Sequence, residues 1–208
     1  MSSRPQRGEE LTGDQRHTGF VDAATRASLP IRHGRFVVVS GPPGSGKTTL
    51  AQALAPALEL PLLAKDTIKQ ALMTVLPVPD VETSRLLGSA STAALLAVAG
   101  ETSGAVLESV WYPDRSLSGL RRLPGAIVEV FCRCDPAVAR RRYAQRSGSR
   151  AAEHFDEQRA AAELWNDEVG EPVAGGWPVI EARTDDRIDI AELALRVQAA
   201  FDAAGRAI

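Results

Sequence analysis

The stretch VSGPPGSGKTTLAQAL, residues 39–54, decides how the rest of the chain is read. Five of its first eight residues are glycine or proline. Yet a β-branched apolar run, RFVVV (35–39), leads into it, and a run with helical apolar spacing leaves it. Gly41, Gly46, Lys47 and Thr48 fit the spacing G-x-x-x-x-G-K-[ST] at a strand-to-helix junction. The chemistry accounts for the residue types. Glycines reach φ > 0 and let backbone N–H groups converge on a phosphate without a Cβ in the way. The helix that follows turns its positive end to the same spot. Lys47 adds a cation for the β- and γ-phosphates, and the Thr48 hydroxyl suits Mg²⁺. Pro42 and Pro43 stiffen the turn. The expected nucleotide contacts are therefore Gly41, Pro42, Pro43, Gly44, Ser45, Gly46, Lys47, Thr48 and Thr49.

The chain has 208 residues, enough for one generous domain with a real core. Apolar residues make up 44% and charged residues 24%, the balance of an ordinary globular protein. A formal net charge of −2 gives no global basic footprint for nucleic acid. No window approaches the roughly 20 apolar residues of a membrane span, and MSSRPQRGEE (1–10) lacks the apolar region of a signal peptide. Cys132 and Cys134 lack a second pair for a zinc site, so they read as reduced thiols. A cytoplasmic location is the expectation.

Residues 1–33 are polar and read as a partly flexible extension; residues 34–208 read as one domain. Within it apolar runs alternate between strand and helix character. Strands are expected at 35–39, 60–64, 104–110, 125–134 and 177–182. Helices are expected at 47–58, 66–76, 80–102, 114–123, 135–146, 155–169 and 189–201, the second opening on Asp66 as a capping residue. Such alternation argues for an α/β fold, a parallel sheet covered on both faces.

Open parallel sheets bind ligands outside the carboxyl ends of their strands. That edge carries the phosphate loop, KDTIK (65–69) after strand two and ESVWYPDR (108–115) after strand three. No N-K-x-D of a regulatory GTPase and no L-S-G-G-Q-like signature of a transporter ATPase occurs, which leaves a small kinase-like domain. Phosphoryl transfer needs Mg²⁺, cations over the phosphoryl oxygens, and a carboxylate to orient the acceptor hydroxyl. Asp66 suits the carboxylate role, its bland alternative being a helix cap. Glu108 suits a water-mediated contact to Mg²⁺ near Thr48, its bland alternative being a solvated charge at the strand end. Trp111 reads either as an acceptor platform or as core. Arg140, Arg141, Arg142, Arg146 and Arg150 crowd a helix end and a Gly/Ser loop, a lid at about 146–157. Arg142 and Arg146 share a helix face and are the expected nucleotide contacts, Arg146 with a catalytic share. Thr184 or Asp185, after strand five, is placed to touch the base.

The segments GPPGSGKTT (41–49), AKDTIKQAL (64–72), VEVFCRCDPAVARRRYAQR (128–146) and PVIEARTDD (178–186) together resemble the small P-loop kinases grouped with chloramphenicol phosphotransferase, zeta toxins and gluconate kinase. The resemblance spans about residues 35–204. It implies a three-layer α/β/α P-loop fold with strand order 2-3-1-4-5, ATP as donor, Asp66 as base and lid arginines on the phosphates. Where such families place an Asp at the end of strand three this chain has Glu108, whose longer side chain shifts the metal or acceptor contact. Residues 66–102 look small and apolar with few cations, which favours a neutral or singly charged small-molecule acceptor over a nucleoside monophosphate. The rivals are a polynucleotide or nucleoside kinase, for which Arg115, Arg121 and Arg122 would have to form a basic groove, and a switch module that binds ATP without transferring it.

Overall fold

The computed structural model describes residues 34–147 and 164–205. The expected extension (1–33) and nearly all of the expected lid, with Arg150, lie outside the described residues. Residues Arg32–Ile208 form one compact unit.

β1 (Gly34–Ser40) runs into the glycine-rich loop and α1 (Lys47–Ala57) leaves it. β2 (Leu62–Ala64) passes without a linker into α2 (Lys65–Met73). α3 (Val81–Gly100) precedes β3 (Gly104–Glu108), and α4 (Pro113–Leu120) precedes β4 (Gly125–Arg133). α5 (Pro136–Ser147), the short α6 (Asp167–Gly170), β5 (Val179–Arg183) and α7 (Ile190–Gly205) complete the described chain. All strand pairs are parallel, and the order is β2-β3-β1-β4-β5, as the resemblance implied. No described helix is long and apolar enough to cross a membrane.

Two corrections concern helix starts. α2 begins at Lys65 with Ala64 at the cap position and no side-chain cap bond, so Asp66 sits inside the first turn. The physical reason is the missing linker: the last residue of β2 already has the extended backbone a cap needs. The expected helix 155–169 falls partly outside the described residues. Its described end breaks at Trp165, and α6 restarts with Asn166 Oδ1 accepting the Val169 N–H at 3.2 Å. Two acidic residues cap helices. Asp80 Oδ1 accepts the Thr83 N–H at 2.7 Å, and Asp135 Oδ1 accepts the Ala137 N–H at 2.8 Å ahead of Pro136.

Burial on both faces explains the unbroken apolar runs of β1, β3 and β4. Val37 and Val39 face one way, against Leu50 and Leu54 of α1 and Leu193, Val197 and Phe201 of α7. Phe36 and Val38 face the other, against Leu95 and Ala99 of α3 and Leu120 of α4. Trp111 belongs to that second cluster, and its indole N–H donates to the Val39 carbonyl at 3.1 Å, so it is core rather than an acceptor platform.

One polar residue interrupts the core. Glu129, in the middle of β4, is fully buried. Its Oε1 accepts the Ser40 hydroxyl at 2.6 Å and the Val173 N–H at 2.8 Å. Its Oε2 accepts the Ala174 N–H at 2.9 Å and the Trp177 indole N–H at 3.0 Å. These bonds tie the segment entering β5 to Ser40, the residue just before the glycine-rich loop.

Candidate active site

The strand register brings the functional ends together. Glu108 lies opposite Val39 on one side and Ala64 on the other, so β1, β3 and β2 end at one edge. The loop itself needs its glycines. Gly44 has φ +79°, and a Cβ there would run into the Ala139 carbonyl at the start of α5. Gly46 has φ +86° and caps α1 in the left-handed region. The Leu50 N–H bonds the Gly46 carbonyl at 3.0 Å, which leaves the N–H groups of Lys47, Thr48 and Thr49 without partners inside the helix. Ser45 Oγ is buried in the loop with no hydrogen-bond partner among the described residues. A cradle of free N–H groups, a buried hydroxyl and a lysine is a donor set that fits a polyphosphate.

Lys47 is buried, and its Nζ donates to the Pro42 carbonyl at 2.8 Å. Burial pulls the ammonium below its ordinary pKa, while Glu108, Cys132 and Asp66 pull it back up. Glu108, also buried, is pushed above the usual carboxylate range by burial, against the pull of Lys47, and by the nearby charge of Asp66. The Thr48 hydroxyl lies close enough to the Glu108 carboxylate to favour its ionised form. A hydroxyl and a carboxylate side by side are hard oxygen donors, which fits Mg²⁺. No cluster of three or more acidic, His or Cys ligands occurs among the described residues. A magnesium ion would thus need phosphate oxygens and water to complete its shell.

Such a strand–loop–helix cradle, at the carboxyl edge of a sheet ordered β2-β3-β1-β4-β5, is the geometry of P-loop proteins. The AAA domain family model matches residues 36–165, more than half of the chain. The chain belongs to this family of P-loop kinase-like proteins. A cytidylate kinase of Pyrobaculum arsenaticum is 30% identical over 135 residues, which cover 62% of this chain and 69% of that protein. A proposed kinase from Chloroflexus aurantiacus is 25% identical, with a TM-score of 0.69 over 80% of this chain and 98% of that one. The APS kinase of Mycobacterium tuberculosis, solved with AMPPNP and APS, shares the fold at 18% identity and a TM-score of 0.54, covering 82% and 98%.

In this P-loop kinase-like protein the expected site residues divide between two clefts. A cavity of about 1000 Å³ is lined by Pro43, Lys47, Thr48, Asp66, Glu108 and Arg146. A second, of about 630 Å³, is lined by Gly44, Gly46, Thr49, Arg142 and Arg146, so Arg146 borders both. Gly41, Pro42 and Ser45 line neither and shape the loop from beneath. A Cβ on Gly41 would come within 2.9 Å of the Cys132 carbonyl. Arg142, one of the expected nucleotide contacts, has a partner within the protein. Its Nη1 donates to the Thr184 carbonyl at 3.0 Å, holding it on the wall of the second cleft. Thr184 lines that cleft too, whereas Asp185 is turned away and accepts the Asp135 N–H at 2.9 Å. Arg140 lies over the Trp165 ring at 5.7 Å, and the Trp165 indole N–H donates to the Pro43 carbonyl at 3.1 Å.

Sequence reasoning missed part of both clefts. Arg187, Ile188 and Ile190 line the second; their only signal was a position after β5. The end of the first cleft away from the loop is also more cationic than expected. Lys69 and Arg85 from α2 and α3 meet Arg115 and Arg122, from α4 and the turn after it, on one cavity. Arg121 does not join them, because its guanidinium donates to the Gly175 carbonyl at 3.2 and 3.3 Å. The basic groove required for a polynucleotide acceptor is correspondingly incomplete. Cys132 is buried and its thiol pushed up to about 12 by that burial, and Cys134 is free and half-buried.

Proposed function

We propose that the protein is an ATP- and Mg²⁺-dependent phosphotransferase that moves the γ-phosphate to a hydroxyl of a small molecule, with Asp66 as the base. The observation that carries the reading is the charge cluster at one strand edge. Lys47 stands within electrostatic reach of Glu108, Asp66 and Arg146, and all four border one cavity. The likeness to proteins described as kinases supports it.

In this reading the base and ribose take the second cleft, between Arg142 and Thr184, and the triphosphate crosses the loop into the first. The N–H groups of the loop and of the first turn of α1 bind phosphate oxygens. Lys47 exchanges the Pro42 carbonyl for the β- and γ-phosphates. Arg146, bordering both clefts, faces the negative charge that grows on the transferring phosphoryl group. Thr48 and Glu108 would hold Mg²⁺, which when bound neutralises phosphate charge. Asp66 stands in the first turn of α2 and lines the first cavity, where Lys65 Nζ reaches it at 3.0 Å. Its carboxylate orients the acceptor hydroxyl and takes its proton as the new P–O bond forms and the bond to ADP breaks.

Asp66→Asn tests this directly. Acceptor-stimulated ADP release should fall at least about 100-fold while ATP affinity changes by less than about threefold. Turnover equal to that of the parent protein would remove Asp66 from the chemistry. ATP binding with no stimulation by any hydroxyl compound would leave the protein an ATP-binding switch.

A further inference from the structure

The glycine-rich loop contains a tight turn whose sense decides where its N–H groups point. The Ser45 N–H donates to the Pro42 carbonyl at 3.2 Å, closing a turn over Pro42, Pro43, Gly44 and Ser45. Proline at the second position and glycine at the third, with φ +79°, make it a type II turn. A type I turn differs from it by a flip of the central peptide, here Pro43–Gly44. A trans peptide holds its C=O and N–H on opposite sides, and no described peptide is cis. The flip would therefore exchange the Pro43 carbonyl and the Gly44 N–H.

That exchange matters in this loop. Pro42 and Pro43 carry no N–H, so Gly44 supplies the first donor after Gly41. No described group accepts the Gly44 N–H. An N–H turned toward a polyphosphate binds it, whereas a carbonyl oxygen in the same place repels it.

What fixes the turn comes from outside it. The Trp165 indole N–H donates to the Pro43 carbonyl at 3.1 Å, from 122 positions away. Trp165 lines neither cleft, whereas Pro43 lines the first and Gly44 the second. The indole thus reaches the turn from behind and draws the carbonyl away from the clefts, which leaves the Gly44 N–H turned toward them. Trp165 is itself placed by α5. The Tyr143 ring meets it edge-on with centroids 5.1 Å apart, and Arg140 lies over its ring at 5.7 Å. The same helix sets the Ala139 carbonyl against Gly44.

We propose that Trp165 is a positioning residue for the phosphate cradle: its indole N–H holds the Pro42–Ser45 turn in the type II form and so aims the Gly44 N–H at a phosphate oxygen of the bound nucleotide. This rests on the reading of the loop as a polyphosphate cradle and is independent of Asp66 and of the acceptor. The coupling is reciprocal. If the indole bond favours the binding form of the loop, bound nucleotide strengthens the indole bond by the same factor.

The experiment uses the full chain with Mg²⁺ and ADP and no acceptor. Trp165→Phe keeps a ring beside Tyr143 and Arg140 and removes the donor. It should raise the dissociation constant for ADP about fivefold in calorimetry, roughly what one neutral hydrogen bond contributes. With glycine-selective ¹⁵N labelling, the Gly44 amide proton of the parent protein should move downfield as a phosphate oxygen accepts it, and in Trp165→Phe it should move much less. In the parent protein, whose fold no substitution has altered, the Trp165 indole N–H should exchange with solvent about fivefold more slowly once ADP is bound. An ADP affinity in Trp165→Phe within about twofold of the parent value would overturn the proposal. So would a Gly44 amide that ADP moves equally in both proteins. If the variant is too unstable to titrate, the parent protein decides alone, and indole exchange unchanged at saturating ADP overturns the proposal. A parent protein that does not bind ADP would refute the cradle reading, and this proposal with it. The expected ADP effects without acceptor-stimulated turnover would support the role of Trp165 while refuting the phosphotransfer reading.

Discussion

Glu129 receives four hydrogen bonds, from a hydroxyl, two backbone amides and an indole, all neutral groups. A carboxylate suits that environment because it offers acceptors only. A glutamine would turn an N–H₂ toward two of those donors and leave them buried without partners. Glu129→Gln should therefore lower unfolding stability by about 2–4 kcal/mol in urea titrations. Because Ser40 precedes Gly41, the variant should also weaken ATP binding. A loss below about 0.5 kcal/mol would mean that the segment before β5 is held by its apolar contacts alone. Residues of this kind escape a sequence reading: an acidic residue in an apolar strand looks like an edge position until its partners, 44 to 89 residues away, are known.

At the scale of elements, the loop and α5 are coupled through bare backbone. Gly44 needs its left-handed φ, and the Ala139 carbonyl occupies the space a Cβ would take. Gly44→Ala should raise the dissociation constant for ATP at least about tenfold and lower the thermal midpoint by a few degrees, since the added Cβ strains the left-handed backbone and meets the Ala139 carbonyl. Wild-type affinity in that variant would show that the loop and α5 can separate freely. The direct passage from β2 into α2 also matters for function. With Ala64 at the cap, Asp66 is released from the capping role that its residue type suggested and is presented in the cleft. α3 shows the contrasting case, an Asp that does cap, with its carboxyl held below the ordinary range mainly by the Thr83 N–H.

Across the whole molecule, several surface carboxylates titrate low in the folded state. Asp80 is held down by the Thr83 N–H, Glu181 by its hydrogen bonds with Arg133, and Asp185 by Cys134 and the Asp135 N–H. A carboxyl depressed on folding contributes stability that is present above its unfolded pKa and lost as pH falls through its folded value. Thermal midpoints should therefore hold near neutrality and drop below about pH 4, and Asp80→Asn with Glu181→Gln should flatten that drop. Glu108 runs the other way. Burial raises its pKa, so its ionised form is a cost to the fold at neutral pH that the sheet edge sustains beside Lys47. An acid limb as steep in the double variant as in the parent would place the acid-sensitive carboxylates elsewhere.

The sequence by itself determined the strand–loop–helix cradle, the alternation that makes a doubly covered sheet, and the placing of Asp66 and Glu108 after strands that end beside the loop. These follow from contacts between near neighbours in the chain, where spacing and residue type carry the information. The tertiary structure alone decided that Arg142 bonds the Thr184 carbonyl on the wall of the second cleft. It also decided that Glu129 is a buried tie, that Arg121 leaves the basic groove, and that Lys69, Arg85, Arg115 and Arg122 share one cavity. A charge acts through distance in space, and separation along the chain says little about that distance until the sheet order has brought α2, α3 and α4 around one edge.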